Sequence, residues 1–201
     1  MAQAEHIRYF IALPVAPPAP AESLIEALRR FSPQVKPVEP TALHLTLRFL
    51  GPASAERVRA AGDAMESALD QAATGPITVQ WGQPTLFPRP TLNKARTIVL
   101  PPAEAEDASP LHRLETAISD ALARLDPPIE REARGFSPHL TLARLKKTRG
   151  KHRVPADALE ATLARYAETA FESTTLDRVV LFESTLTPNG PHYAVMRDRA
   201  L

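Results

Sequence analysis

The pattern of apolar and polar positions predicts alternating strands and helices in the first half of the chain. A short apolar run at residues 7–13, closed by Pro14, is typical of a buried strand. Apolar residues at helical spacing predict a short helix over residues 22–31 and a longer one over residues 53–72, for which Ser54 can serve as the N-cap. Further strands are predicted at residues 43–50, 77–81 and 95–100.

The second half repeats this order of elements, apart from the first strand of the chain. Helices are predicted over residues 110–125 and 155–167, and strands over residues 138–145, 169–182 and 192–196. Strands and helices in this order predict an α+β fold in which helices cover the outer faces of antiparallel or mixed sheets. We expect a single domain, residues 1–201, built of two pseudo-symmetric lobes at about residues 6–100 and 109–197.

The tetrapeptide His-Leu-Thr-Leu occurs twice, at residues 44–47 and 139–142. Side chains alternate between the two faces of a strand, so His44 and Thr46 share one face, as do His139 and Thr141, while the leucines face a core. One His-x-Thr strand is an ordinary solvent-facing pattern, and a repeat can reflect duplicated architecture alone. Two identical copies in matching surroundings favour a functional site. A pseudo-two-fold would place the two strands opposite each other across a central cleft.

Two histidines beside two threonines suit acid–base chemistry at a phosphate. An imidazole with a pKa of about 6.5 gives or takes a proton near neutral pH, so a pair supplies an acid and a base. Threonine hydroxyls can donate hydrogen bonds to phosphate oxygens. Phosphoryl transfer with an alkoxide leaving group fits this set, because in-line attack needs the base and the acid on opposite sides of phosphorus.

Other chemistries fit the sequence less well. The motif supplies only two histidine ligands and no matching carboxylate, whereas zinc sites use three or four ligands, so we predict neither a metal site nor another cofactor. The sequence contains no Gly-x-Ser-x-Gly turn and no glycine-rich phosphate loop. It also contains no cysteine, which excludes disulfides and thiolate nucleophiles.

The composition limits the kinds of partner that the protein can bind and the cellular compartment in which we expect it. The formal net charge of +1 excludes a globally basic nucleic-acid coat, so any nucleic-acid contact has to be local. The basic stretch at residues 146–153 is a candidate contact to an RNA backbone, although such charge runs are usually only solvated. We find neither a secretory segment nor an apolar run that could span a bilayer, and we expect a cytoplasmic protein that is a monomer by default.

The sequence resembles the 2H phosphoesterase superfamily and, within it, the RNA 2′,3′-cyclic phosphodiesterase family, first described as 2′-5′ RNA ligases. The resemblance is carried by Ile-Arg-Tyr-Phe-Ile-Ala-Leu at residues 7–13, by the two motif strands with their neighbours at residues 43–51 and 136–144, and by the closing stretch at residues 179–193. It covers nearly the whole chain, and the paired motif is specific.

This resemblance implies a bilobal α+β fold and metal-independent hydrolysis of a 2′,3′-cyclic phosphate to a 2′-phosphate. The expected substrates are RNA 3′ ends with a 2′,3′-cyclic phosphate or small cyclic nucleotides. His44 would protonate the leaving oxygen and His139 would act as the base, although the order of the two can be reversed. Thr46 and Thr141 would hold the phosphate oxygens.

Two arginines are candidates for a further phosphate contact. Arg144 occupies the family's position for a cation near the second motif, yet strict alternation places it on the leucine face of its strand. Arg48 lies on the histidine face by the same rule and is the alternative. Four aromatic residues are candidates for stacking on a base, and the pattern favours none of them: Phe49, Phe87, Phe136 and Tyr193.

Three alternatives to hydrolysis remain open at this point. The same residues could serve reversible 2′-5′ RNA ligation, or the opening of a cyclic ADP-ribose phosphate. The chain could also be a module that binds an RNA end or a cyclic nucleotide without turnover. The histidines in both copies argue against a binding module, because arginine or lysine would serve phosphate binding better.

Overall fold

The computed structural model describes residues 7–104, 109–131, 133, 135–146, 155–187 and 190–201. Its helices are α1 (Ala21–Arg29), α2 (Ala55–Ala72), α3 (Pro110–Ala123) and α4 (Ala156–Ala164). Its strands are β1 (Ile7–Pro14), β2 (Val35–Pro37), β3 (His44–Gly51), β4 (Ile77–Val79), β5 (Thr85–Phe87), β6 (Thr97–Leu100), β7 (Leu140–Leu145), β8 (Thr174–Leu176), β9 (Arg178–Thr187) and β10 (Gly190–Ala200). The expected α+β class is confirmed.

One large sheet carries both motif strands at its centre. Its strand order is β10-β9-β1-β3-β7-β6-β5, and β2 pairs with a further part of β7. Strands β4 and β8 form a separate two-stranded sheet. Every pairing between named strands in the described part of the chain is antiparallel, so the sheets are antiparallel rather than mixed.

The helices bury the leucine face of the motif strands. The motif leucines belong to one apolar cluster with side chains from the inner faces of the helices, among them Leu24 of α1, Met65 of α2 and Ile118 of α3. Helix α2 begins at the predicted N-cap, where the Ser54 side chain accepts a hydrogen bond of 3.2 Å from the Arg57 backbone N–H. Burial of one face by the helices fixes which way each motif strand turns its side chains.

The two motif strands are neighbours in the sheet. The sequence analysis expected them to lie opposite each other across a cleft, but Leu45 of β3 pairs directly with Leu140 of β7. These leucines occupy the same position in the two copies of the motif. Equivalent residues therefore meet at the centre of an antiparallel pair, which is the arrangement that a local two-fold axis produces. The division into lobes at about residues 6–100 and 109–197 stays a prediction.

Both motif strands contain a β-bulge at the same place. Strand β1 pairs Ala12 with Thr46 and then Ile11 with Arg48, so Leu47 is an extra residue. Strand β6 pairs Val99 with Thr141 and then Ile98 with Ala143, so Leu142 is the extra residue there. A bulge shifts the alternation of side chains by one position. Beyond each bulge the second residue, Phe49 or Arg144, returns to the histidine face.

Short strands and strand ends account for the differences from the predicted elements. Strands β2 and β5 lie in proline-containing segments for which no strand was predicted, and an edge position lets a strand accept proline. The second motif strand begins at Leu140 rather than at residue 138. The strand predicted at residues 169–182 is two strands, β8 and β9, and β10 extends well beyond the predicted residues 192–196.

None of the helices in the described ranges has the length and apolar character that crossing a membrane requires.

Candidate active site

The four polar motif residues lie in a two-by-two array. Continuing the leucine register by one residue in each direction places His44 opposite Thr141 and Thr46 opposite His139. Directly opposite residues share a face of the sheet. All four side chains are half-buried. Each histidine is thus beside the threonine of its own motif and across from the threonine of the other.

Backbone carbonyls fix the same tautomer in both histidines. The Nδ1 atom of His44 lies 2.8 Å from the carbonyl oxygen of Ala42, and Nδ1 of His139 lies 2.7 Å from that of Ser137. A carbonyl only accepts hydrogen bonds, so Nδ1 carries the proton in each ring. The Nε2 atoms are therefore the nitrogens that can take a proton or, when protonated, donate one.

Burial holds both imidazoles in the neutral form. Desolvation is the main cause that lowers the pKa of His44 to about 4, and the positive charge of Arg144 and the proximity of His139 lower it further. Desolvation also lowers the pKa of His139 below its ordinary value. In each case the backbone hydrogen bond at Nδ1 opposes the shift. At pH 7 the unliganded site therefore presents two uncharged Nε2 acceptors.

The two threonines have hydroxyl groups available for a ligand. Neither Thr46 nor Thr141 makes a side-chain hydrogen bond to another residue in the described ranges. Both are half-buried on the histidine face. Their hydroxyls can therefore donate to an anion held between the imidazoles.

Arg144 joins the site because of the bulge at Leu142. Its Nη2 atom donates a hydrogen bond of 3.3 Å to the Tyr193 hydroxyl, and its charge acts on His44. Lys36 lies opposite Arg144 across the β2–β7 pair and is exposed. This edge of the array is therefore positively charged.

The prediction that Arg48 lies on the histidine face is wrong. The bulge at Leu47 turns Arg48 to the core face, where it is only 3% exposed. Its guanidinium donates a hydrogen bond to the Glu130 backbone carbonyl, and its Nε atom has no partner among the described residues. Arg48 therefore anchors the segment after α3 and does not face the histidines.

Aromatic rings pack against both histidines. The ring of Phe10 lies 5.0 Å from the His44 ring, and Tyr193 stands perpendicular to it at 5.3 Å. Phe87 stacks on His139 with the ring centroids 4.4 Å apart. Sequence reasoning missed Phe10, because residues 9–13 are apolar on both faces of the strand and their alternation carries no polar signal.

Two other candidates from the sequence, Phe136 and the basic stretch at residues 146–153, are less closely connected to the histidines. The ring of Phe136 contacts His112 at 5.0 Å, and Phe136 has no ring contact with His44 or His139. Of the basic stretch at residues 146–153, only Lys146 lies within the described residues, where it is exposed. Within the described ranges, no three His, Cys, Asp or Glu side chains are grouped closely enough to hold a metal ion.

Comparisons with known proteins place the chain in one family. A family model described as "2′-5′ RNA ligase superfamily" matches residues 16–187. The RNA 2′,3′-cyclic phosphodiesterase of Methanocaldococcus jannaschii is 27% identical over 197 residues, which are 96% of this chain and 99% of that protein. The protein of the same name from Archaeoglobus fulgidus is 29% identical over 163 residues, which are 81% of this chain and 82% of that protein.

Solved structures share the fold over almost the whole chain. TT0787 of Thermus thermophilus has a TM-score of 0.66 at 26% identity, covering 96% of this chain and 97% of that one. The E. coli LigT structure in complex with ATP has a TM-score of 0.60 at 22% identity, with the same coverage, and supports the fold alone.

The buried position of Arg48 leads to a prediction about stability. We expect Arg48→Ala to lower the free energy of unfolding by about 1–3 kcal/mol, because the Glu130 carbonyl loses its donor and the buried alkyl stem is removed. Urea denaturation of the variant and the wild type measures this difference. An unchanged denaturation midpoint would contradict the anchoring role.

The effect of the Arg144 charge on His44 leads to a prediction about protonation. We expect Arg144→Met to raise the pKa of His44 above about 4, because a nearby positive charge disfavours the imidazolium, while desolvation keeps the pKa below 6.5. An NMR titration of the His44 ring protons measures the shift. The matched control is Arg48→Met, which removes a guanidinium on the other face of the same sheet and should leave this pKa where it is.

Proposed function

The chain belongs to the 2′-5′ RNA ligase superfamily, and from this membership we propose that it is an RNA 2′,3′-cyclic phosphodiesterase that forms a 2′-phosphate without a metal ion. The observation that carries the proposal is the array of two neutral imidazoles whose tautomers are fixed alike, with two threonine hydroxyls and Arg144 beside them. The names of the two curated relatives support the same activity.

The proposed reaction uses one histidine on each side of phosphorus. Nε2 of His139 takes a proton from water, and the water oxygen forms a bond to phosphorus as the bond from phosphorus to the 3′ oxygen breaks. Protonated Nε2 of His44 gives its proton to that leaving oxygen. The products are a 2′-phosphate and a 3′ hydroxyl, with the proton now on His139. Loss of this proton from His139 to solvent, and protonation of His44, restore the starting state.

Binding of the substrate anion would favour protonation of His44. His44 is neutral in the unliganded protein because burial and Arg144 disfavour its charged form. A cyclic phosphate diester is an anion, and an anion between the rings favours imidazolium and offsets the repulsion from Arg144. The site would therefore take up a proton together with its substrate. His44 would be charged only when a leaving oxygen is present to receive that proton.

The remaining groups would hold the non-bridging oxygens of phosphate. The hydroxyls of Thr46 and Thr141 lie on either side of the array and donate without adding charge. Arg144 supplies the positive charge that complements the transition state. The Tyr193 hydroxyl, which accepts the hydrogen bond from Arg144, would orient the guanidinium toward the phosphate.

Reversible 2′-5′ ligation is the second candidate activity, because the family model carries that description. In the ligation direction, a 5′ hydroxyl would replace water as the group that His139 deprotonates. The histidine pair serves both directions by microscopic reversibility. Water is far more abundant than RNA ends, so we propose hydrolysis as the main reaction.

The proposed activity can be tested directly on a cyclic nucleotide. With EDTA present, we expect the purified protein to convert a nucleoside 2′,3′-cyclic phosphate to the 2′-phosphate, identified by chromatography against both isomers. We expect His44→Ala and His139→Ala each to lower kcat by at least about 100-fold, because each removes a general acid or base. Retained binding of the 2′-phosphate by these variants would show that the site is intact.

Two results would contradict this proposal. A 3′-phosphate product would mean that the 2′ oxygen leaves. Absence of turnover on cyclic mononucleotides, on cyclic ends of longer RNA and on other cyclic phosphates, with binding retained, would favour a binding module. A 2′-5′ linked product from RNA with a 5′ hydroxyl would add the ligation activity.

The lowered pKa values predict an unusual pH dependence. The kcat/KM profile reports the free protein, and we expect a bell with both apparent pKa values below 6.5, since burial lowers the pKa of both histidines. Activity falls at low pH as the base becomes protonated, and falls at higher pH as the acid loses its proton. The kcat profile reports the complex, and its limbs should lie at higher pH because the bound anion raises both pKa values. A kcat/KM that is constant between pH 5 and pH 8 would contradict paired acid–base action.

A further inference from the structure

An aromatic strip extends from the site and has no part in the proposed reaction. Phe49 of β3 pairs with Phe10 of β1, which pairs with Phe182 of β9, which pairs with Val195 of β10. The Phe10 ring lies 6.1 Å from Phe49 and 5.3 Å from Phe182, where the two rings are stacked. We call Phe49, Phe10, Phe182 and Val195 the aromatic strip.

The two ends of the aromatic strip are exposed to solvent. Phe49 is 58% exposed and Val195 is 60% exposed, whereas Phe10 between them is buried. These two exposed side chains lie at opposite ends of one row of apolar residues, and exposed apolar surface of this kind is a feature of binding sites. The helices cover the opposite face of the sheet, so the packing of the domain does not require Phe49 to be aromatic.

The strip is continuous with the catalytic array. The bulge at Leu47 returns Phe49 to the face that carries His44 and Thr46. The Phe10 ring lies 5.0 Å from the His44 ring. The exposed Phe49 ring is therefore on the same face as the histidines, with the Phe10 ring between it and His44.

A cation follows the strip on the same face. Arg8 is two residues before Phe10 in β1, so it lies about 7 Å further along the sheet. Its side chain is exposed and makes no hydrogen bond or ion pair with another residue in the described ranges. Along β1 the order is thus the catalytic array, then aromatic surface, then positive charge.

This order matches the order of groups in one nucleotide of an RNA end. We propose that the aromatic strip binds the nucleobase of the terminal nucleotide, with the base stacked on Phe49, and that Arg8 binds the phosphodiester on its 5′ side. Stacking accepts any base, and an arginine contact to a phosphodiester carries no sequence information. The inference rests on the proposed function and makes an RNA end of any sequence a better substrate than a mononucleotide.

Three substrates separate the two contacts. Methyl riboside 2′,3′-cyclic phosphate has no base. Adenosine 2′,3′-cyclic phosphate has a base but no phosphate on its 5′ side. The dinucleotide of two adenosines that ends in a 2′,3′-cyclic phosphate has both groups. We expect Phe49→Leu to lower kcat/KM about tenfold for the two substrates with a base, because a stacked base contributes about 1–3 kcal/mol. The substrate without a base should be unaffected.

Arg8→Met should act only on the dinucleotide. We expect a loss of kcat/KM for that substrate. The slope of log(kcat/KM) against log salt should be shallower by about 0.7, the value for one phosphate contact to a single strand.

The matched control for Phe49→Leu is Leu186→Ala, which removes an apolar side chain that is 44% exposed on the same sheet and outside the strip. It should leave all three substrates unchanged.

Binding measurements keep this inference separate from the proposed activity. Calorimetric titrations with adenosine 2′-phosphate and ribose 2-phosphate need no turnover, and Phe49→Leu should weaken only the adenosine compound. If the wild type turns over none of the substrates, this binding difference still supports the base site while the proposed activity fails. An equal loss for ligands with and without a base, or no loss for either, would overturn the inference. Thermal unfolding checks that both variants are folded.

Discussion

The site depends on one antiparallel contact, in which Leu45 of the first motif pairs with Leu140 of the second. Identical positions meet in this pair, so each histidine lies opposite the threonine of the other copy. The same register places all four leucines of the repeated tetrapeptides against the helices, where they are buried in a common core. A slip of one residue in either strand would turn its histidine into the core and expose its leucines. Hydrophobic burial on one face thus holds the two histidines together on the other.

The paired bulges explain why the motif residues could be predicted from the sequence while their neighbours could not. His44, Thr46, His139 and Thr141 follow simple alternation before each bulge, and the repeat itself draws attention to them. Beyond Leu47 and Leu142 the alternation shifts, which moves Arg48 into the core and Arg144 onto the histidine face. Each bulge arises from the pairing with β1 or β6, and no residue of the motif indicates in the sequence that a bulge is present. Strands β2 and β5 escaped prediction for a related reason, because three residues at a sheet edge gain their structure from a partner strand.

Desolvation makes the histidine pair responsive to an anion. The rings of Phe10 and Tyr193 around His44, and of Phe87 against His139, exclude water from imidazoles that would otherwise be charged below pH 6.5. Arg144 adds a positive charge at the same point, so the unliganded site disfavours a second cation. An anion in the array favours the charged imidazole and so opposes both effects. The aromatic residues therefore influence the protonation of the site through desolvation.

Symmetry of the backbone does not make the two halves of the site equivalent. The first residue to return to the histidine face after the bulge is Phe49 in one copy and Arg144 in the other. One copy thus places an exposed aromatic ring at this position, while the other places a cation that acts on His44 and bonds to Tyr193. A cyclic phosphate at the end of RNA is itself asymmetric, with a base on one side and charged oxygens at its centre. Because the position after the bulge lies on the open face of the sheet and outside the core, its side chain is free to differ between the two motif strands, and this difference allows the site to distinguish the two sides of the proposed ligand.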